Sequence, residues 1–267
     1  MKSLRMAVCM KQVPADMAKG QFIDGRVCRT AQTAVINPAD IFALETALTL
    51  KEKNDGQVDV FTMGPSSARN LLKESASLGA DGLFLISDLD FAGADTYATS
   101  LVLASALDKI AKYDLIFCGR KTIDGDTEQV PIQIAEMLKI PVITNTVYIE
   151  QHEEKVICRR LTENGEEIVE ATLPVLISVM EGIEGVKHPR LPSVFGMRSA
   201  MKRPVISLNR EVLGLEKELV GSSGSYTEVK RAFFPDWKRN CVLCGMEEGL
   251  ELIQMKLKHI QEGGEQK

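Results

Sequence analysis

The sequence has little of what most catalysts and most nucleic-acid binders need. Its three histidines, His152, His188 and His259, stand far apart, and no hydrolase triad, Walker lysine loop or paired-carboxylate site is visible. No catalytic acid, base or nucleophile is therefore expected. Lys and Arg number 32 against 37 Asp and Glu, a net charge of -5 without a basic stripe, which argues against a nucleic-acid partner. No run approaches the roughly 18 apolar residues that span a bilayer, so membrane insertion is not expected. The start, Met1-Lys2-Ser3-Leu4-Arg5, leads straight into an apolar run and lacks a signal-peptide cleavage site, which favours a cytoplasmic location. The cysteines Cys9, Cys28, Cys118, Cys158, Cys241 and Cys244 are scattered, as reduced, buried thiols would be. Only Cys241-Val242-Leu243-Cys244 has ligand spacing, and without a second pair no metal site is expected.

What is present is a core-forming chain: 267 residues with 45% apolar content can bury a substantial interior. Residues 4–145 repeat a strand-then-helix rhythm. Arg5 to Val13 reads as a strand. Asn37-Pro38 reads as an N-cap with proline at the first helical position, ahead of Ile41, Leu44 and Leu48 on one face. Gln57 to Met63 is the next strand, turning at Gly64-Pro65 into a helix capped by Ser66 or Ser67 and stopped by Gly79. Leu83 to Ser87 is a third strand, and Gly93-Ala94-Asp95-Thr96 opens a helix reaching Lys112. Such alternation predicts an α/β fold: an open, mostly parallel, Rossmann-like sheet with helices on both faces. In that architecture ligands collect beyond the carboxyl ends of the strands.

The loop after the next apolar run, Tyr113 to Phe117, is the most informative stretch. Gly119-Arg120-Lys121-Thr122-Ile123-Asp124-Gly125-Asp126-Thr127-Glu128-Gln129-Val130 joins that strand to a helix, the kind of connection that binds nucleotide phosphate. Asp126 is the expected N-cap, with Gln129 at capping-box spacing, so the amides of Thr127 to Val130 would attract an anion. Gly125 permits close backbone approach, and Arg120 and Lys121 add positive charge. An ordinary capped surface turn would explain the same residues. The loops at Met63-Gly64-Pro65 and at Gly93 to Thr99 should converge on the same edge, with Cys9 and the Asn37 cap as walls.

Beyond Pro141 the rhythm changes to short runs, Val142 to Glu150, Lys155 to Leu161, Glu166 to Thr172 and Val175 to Met180. The Asn164-Gly165 turn signal predicts a hairpin, so this part reads as an antiparallel addition to the sheet. The proline-rich, basic stretch from His188 to Pro204 reads as an irregular loop, a plain connector or an exposed partner contact. Gly221-Ser222-Ser223-Gly224-Ser225 reads as a flexible joint. Leu250, Ile253, Leu257 and Ile260 then form a narrow apolar helical stripe. The expected division is an α/β nucleotide-binding domain at 1–220 and a C-terminal arm at 221–267.

Over about residues 6–235 the chain resembles the beta subunit of electron-transferring flavoproteins, especially the electron-bifurcating branch. The motifs that carry the likeness are Val8-Cys9-Met10-Lys11-Gln12-Val13-Pro14, Ile36-Asn37-Pro38-Ala39-Asp40, Ala43 to Leu48, Met63-Gly64-Pro65, Leu78-Gly79-Ala80-Asp81, Gly93 to Ser100 and Cys118 to Val130. The resemblance implies an adenine nucleotide held by Cys9, Asn37, Asp40, Met63, Gly64, Asp95, Thr96, Thr99 and the residues Gly119, Arg120, Lys121, Thr122, Asp124, Gly125, Asp126, Thr127, Gln129 and Val130. It implies FAD in bifurcating members and structural AMP in the others; the form of the Gly93 and Asp124 motifs favours FAD. NADH would be the electron donor. The partners would be a flavin-carrying alpha subunit on which the C-terminal arm packs, an acyl-CoA dehydrogenase-type acceptor, and ferredoxin or flavodoxin. The recognition loop for the acceptor would lie at Arg190, Leu191, Val194, Phe195 and Met197. Pro131 departs from the branch, which usually has glycine there, and offers no amide hydrogen. A stand-alone nucleotide sensor or an ATP-using ligase is the reading of a different class. Lys11-Gln12-Val13-Pro14 after the first strand lacks the Ser-Gly-Gly-type loop of the ligase.

Overall fold

The computed structural model of the chain describes residues 3–15, 22–23, 26–27, 34–186, 188–230, 241 and 243–263; Cys28 and the Ile260 side chain lie outside the described parts. The chain separates into two compact units, Met1–Arg231 and Ala232–Lys267. In the first unit, β1 (Arg5–Cys9) is shorter than the apolar run suggested, because Met10 and Lys11 leave the ladder. β2 (Gln12–Pro14) follows, then β3 (Phe22–Ile23), β4 (Arg26–Val27) and β5 (Ala34–Ile36), with β5 pairing antiparallel to β2. The expected alternation comes next: α1 (Pro38–Asn54), β6 (Gln57–Met63), α2 (Arg69–Leu78), β7 (Gly82–Ile86), α3 (Thr96–Ile110), β8 (Leu115–Gly119) and α4 (Gln129–Leu138).

Four strands complete the middle of the chain: β9 (Val142–His152), β10 (Lys155–Thr162), β11 (Gly165–Thr172) and β12 (Val175–Val179). The main sheet runs β11-β10-β9-β12-β8-β1-β6-β7-β13, where β13 (Ile206–Leu208) closes one edge. β9, β10 and β11 pair antiparallel as expected, with Gly165 at φ 124 ending the hairpin turn. β12 corrects the sequence reading, since it lies parallel to β8 and is entirely buried. Val175 to Val179 has an apolar, both-faces-covered composition, which is that of a central parallel strand. Helices cover the two faces separately. Ala43, Leu44, Leu48, Leu71 and Leu72 of α1 and α2 pack on one face with Met6 and Val8. Val102, Leu107, Ile134 and Ala135 of α3 and α4 pack on the other with Ala7 and Cys9.

Capping differs from expectation in two places. α2 is entered through a short 3-10 turn, Ser66–Ala68, and neither serine caps it. Asn37 stands at the α1 N-cap, but its side chain bonds elsewhere. The stretch read as an irregular loop contains a nine-residue helix, α5 (Val194–Lys202), capped by Ser193 accepting from the Gly196 amide at 2.9 Å. α5 is followed, after β13, by the single-turn α6 (Arg210–Leu213). The Gly221 to Ser225 segment is not a free joint. Ser222 N donates to Ala92 O at 3.0 Å, and Ser225 Oγ accepts from Asp95 N at 2.9 Å. In the second unit, α7 (Met246–Gly263) leaves Leu250, Ile253 and Leu257 exposed.

α5 is fixed to α2 at close range. The Lys73 ammonium donates to the carbonyls of Ala200 and Met201 at 3.0 and 3.1 Å, completing the α5 C-terminus. A Cβ on Gly196 would lie 2.3 Å from the Ser77 carbonyl oxygen. Gly196→Ala should therefore cost about 1–3 kcal/mol as an overpacking change. Urea unfolding checks it, and an unchanged midpoint would mean that α5 does not rest on α2.

Candidate functional site

The strand order reverses at β1: β6 and β7 extend to one side, β8 and β12 to the other. The crevice at the carboxyl ends of β1 and β8 is thus the topological switch point, where open α/β sheets bind ligands. Asp40, in the first turn of α1, is buried there and joins the two strand ends. Its Oδ2 accepts from the Lys11 amide at 2.7 Å and its Oδ1 from the Gly119 amide at 3.2 Å. Gly119 has to be glycine for this contact, because a Cβ would sit 2.3 Å from Asp40 Oδ1. Burial pushes the Asp40 carboxyl up to about 7, against the pull of the Lys11 amide, Asn37, the Gly119 amide and the Lys11 charge. Asn37 works beside it, donating to Lys121 O at 2.9 Å and accepting from Ile123 N at 3.2 Å. Lys11 Nζ reaches Asp124 at 2.7 Å. The first turn of α1 therefore holds the Gly119–Val130 loop at three points.

The loop itself corrects one expectation. Asp126 is not an N-cap: its φ is +49, its amide donates to Thr122 O, and α4 begins only at Gln129. Glu128 takes the N-cap position at φ +57 with no side-chain cap bond. Two non-glycine residues in left-handed backbone within three positions carry strain of order 1–3 kcal/mol each. The side chain of each is held by a cation from the same loop, Asp126 by Lys121 at 2.7 Å and Glu128 by Arg120 at 2.9 Å. With Lys11 on Asp124, three cations face three carboxylates. The positive charge expected of Arg120 and Lys121 is thereby offset within the loop, and the pull on an anion falls to the backbone.

That backbone is available. Gln129 and Val130, the first two residues of α4, have no intrahelical acceptor for their amides and no capping side chain, and Pro131 has no amide hydrogen to give. Gly125, Asp126, Thr127 and Gln129 are exposed, so packed protein does not cover the helix tip. Arg120 Nε is buried without a partner, which is the condition of a donor awaiting an acceptor. α3 brings its own N-terminus alongside. Thr96 Oγ1 donates to Gln129 Oε1 at 2.8 Å, and Ser100 Oγ bonds Gln133 Oε1 at 3.0 Å. Asp95 caps α3 through the Ala98 amide at 3.0 Å and also accepts from Thr227 N at 2.9 Å. Burial would raise the Asp95 carboxyl, but the Ala98 and Thr227 hydrogen bonds hold it below the usual range. Two helix N-termini therefore lie side by side at the switch point, an arrangement suited to pyrophosphate.

Of the residues singled out in the sequence, Asn37, Asp40, Gly119, Lys121, Thr122, Asp124 and Asp126 come together at the loop base, and Thr96, Gln129 and Val130 at the helix tips. Thr99 is half-buried, and its amide bonds Asp95 O. Cys9 is buried beside Cys118 on neighbouring strands. Met63 ends β6 and Gly64 follows it, its N donating to Ile86 O, and among the described residues no side-chain hydrogen bond ties them to the other loops. The Lys11 ammonium, Ser225 and Thr227 were missed as site-builders. Lys11 was visible in its motif, but the pairing of Thr227 with Asp95 spans 132 residues and leaves no local signal. Arg190 is committed inside the chain: it forks onto Glu45 at 2.8–2.9 Å and reaches Glu52 at 2.6 Å. Leu191, Val194, Phe195 and Met197 beyond it are exposed.

These features define an open α/β protein with an uncapped, glycine-bearing strand-to-helix loop at the sheet's switch point. Comparison with known proteins narrows the class. The electron transfer flavoprotein domain matches residues 24–211. The chain is 41% identical over 237 residues to the caffeyl-CoA reductase-Etf complex subunit CarD of Acetobacterium woodii, covering 88% of this chain and 89% of that protein. It is 38% identical over 242 residues to the acryloyl-CoA reductase electron transfer subunit gamma of Anaerotignum propionicum, covering 88% and 90%. It is 40% identical over 238 residues to the electron transfer flavoprotein subunit beta of Thermoanaerobacterium thermosaccharolyticum, covering 88% and 90%. The chain belongs to the electron transfer flavoprotein family, as a subunit of beta type. No described helix is long and apolar enough to cross a membrane.

Asp40→Asn tests the clamp at the loop base. An amide presents only one acceptor oxygen, so one of the two backbone amides would face an NH2 group, at a cost of about 1–3 kcal/mol. The pH dependence carries a definite sign. With the folded carboxyl near 7 and an ordinary Asp carboxyl at 3.8, the folded state binds the proton more tightly. This contribution is complete below the unfolded value and is lost as pH rises toward 7. The stability of the wild type relative to Asp40→Asn should therefore fall between about pH 4 and pH 7, by up to about 4 kcal/mol. Denaturant titrations across that range check it; a flat difference would contradict the buried, proton-binding carboxyl.

Proposed function

We propose that this chain binds FAD across the carboxyl ends of its parallel strands and works as the beta half of a heterodimer with a flavin-carrying alpha subunit. The observation that carries the reading is the pair of adjoining N-termini of α3 and α4, joined through Thr96 and Gln129, beside a loop whose own charges cancel. In this reading the Gln129 and Val130 amides and Arg120 Nε receive the pyrophosphate. The backbone around Cys9, Asn37 and Gly64 borders the adenylate portion, while Asp40, Asn37 and Lys11 keep the loop in place. When bound, the flavin would supply two-electron exchange with NADH and its division between the alpha-subunit flavin and a low-potential carrier, ferredoxin or flavodoxin. The protein's part is to orient the cofactor and to set the field around it.

The acceptor in this reading is an acyl-CoA dehydrogenase-type enzyme, in keeping with relatives named as subunits of a caffeyl-CoA reductase complex and of acryloyl-CoA reductase. α5 suits that contact. Leu191, Val194 and Phe195 are 89%, 79% and 86% exposed on a segment fixed by Lys73 at one end and Arg190 at the other, so docking would not need to order a loose loop. The second unit, Ala232–Lys267, would pack on the alpha subunit, covering the exposed Leu250, Ile253 and Leu257.

Nucleotides released from the native complex test the cofactor assignment. Two flavins per heterodimer are expected; one flavin and one AMP would assign the chain to the non-bifurcating class, and ATP alone to a sensor. Val194→Asp should slow transfer to the acceptor enzyme by about tenfold or more, the effect of losing an interface anchor, with cofactor content unchanged. Loss of cofactor together with transfer would make α5 a structural element instead.

A further inference from the structure

The described cysteines divide into two chemically different sets. Cys9, Cys118 and Cys158 are buried. A hydrogen bond with Cys9 and burial push the Cys118 thiol well above its usual range, and burial pushes Cys158 up to about 12. The Cys118 and Cys158 thiols are thereby held protonated, and burial keeps all three out of reach. Cys241 and Cys244 are both exposed.

The position of Cys244 is specific. Gly249 N donates to Gly245 O at 2.9 Å, so Gly245 caps α7 and Cys244 immediately precedes the cap. A Cβ on Gly249 would lie 3.4 Å from Cys244 Sγ. The thiol therefore folds back over the first turn of α7, where a hydrophobic-staple side chain would rest, and the missing side chain of Gly249 leaves it room. Cys241 stands three residues ahead, the separation of dithiols that close small disulfide rings. Among the described residues no cluster of three or more His, Cys, Asp or Glu side chains could hold a metal ion, so nothing there completes a metal site around the pair.

We propose that Cys241 and Cys244 are a reversible dithiol–disulfide site that exchanges with disulfide compounds of the glutathione class. The Cys241 sulfur attacks the external disulfide, forming a mixed disulfide and releasing one thiol. The Cys244 sulfur then attacks Cys241 Sγ, closing the ring and releasing the second thiol. Two cysteine thiols are oxidised, one disulfide is reduced to two thiols, and no metal or flavin takes part.

The test uses the full-length chain, reduced, freed of reductant, equilibrated with oxidised glutathione, and alkylated with N-ethylmaleimide without denaturant before digestion and mass spectrometry. The expected peptide carries Cys241 and Cys244 joined to each other, lighter by two hydrogens and unalkylated, and it reverts on addition of dithiothreitol. Cys9, Cys118 and Cys158 should remain unlabelled thiols until the protein is unfolded. Cys244→Ser should accumulate glutathione on Cys241, and Cys241→Ser should lose the ring species altogether. Glutathione on both cysteines without ring closure, a disulfide-linked dimer, a pair that stays reduced in excess oxidised glutathione, or zinc retained by the purified chain would each overturn the proposal.

Discussion

One buried carboxylate organises this molecule's upper edge. Asp40 accepts the backbone amides of Lys11 and Gly119, which leave two adjacent parallel strands at the point where strand order reverses. Without an acceptor both amides would be buried polar groups at a cost of about 1–3 kcal/mol each. With Asp40 in place both chain exits are tied to the first turn of α1, from which the loop Gly119 to Val130 is also held. Asn37 and Lys11 secure the same loop. The first turn of α1 thus acts on the site by shaping the backbone that faces it. Asp40 is accordingly a positioning residue in this account, a different role from the direct ligand contact suggested by family resemblance.

The loop's electrostatics follow from that arrangement. Lys11, Arg120 and Lys121 are each paired with an acidic side chain, so the local net charge does little to attract a phosphate. The pairing of Lys121 with Asp126 and of Arg120 with Glu128 supports two left-handed residues, and those residues delay the start of α4 until Gln129. The consequence is a helix tip with open amides next to the α3 tip. Charge here maintains backbone shape, and backbone shape presents the dipoles.

Much of the fold was legible because its signals are local. Apolar runs separated by helical periodicity predicted the parallel sheet, and Asn164-Gly165 predicted the β10–β11 hairpin. The Gly93 to Thr96 stretch read as opening a helix does so, with Asp95 capping α3. What escaped depended on long-range pairing or on unusual backbone. β12 reads alone as one more short strand, and only its insertion beside β8 makes it central. Asp126 has the composition of a cap, yet its positive φ and its bond with Lys121 exclude that role. α5 lies among prolines and basic residues, but Ser193 caps it and Lys73, over a hundred residues earlier, completes it. The Gly-Ser segment has a linker's composition, and its hydrogen bonds to Ala92 and Asp95 are invisible in a local window.

The most direct test of the account is a structure of the native complex with its nucleotide bound. Phosphate oxygens should lie within hydrogen-bond distance of the Gln129 and Val130 amides, with Asp40 still accepting from Lys11 and Gly119. An Asp40 carboxylate turned onto the ligand, or a nucleotide seated away from the β1–β8 crevice, would contradict the account.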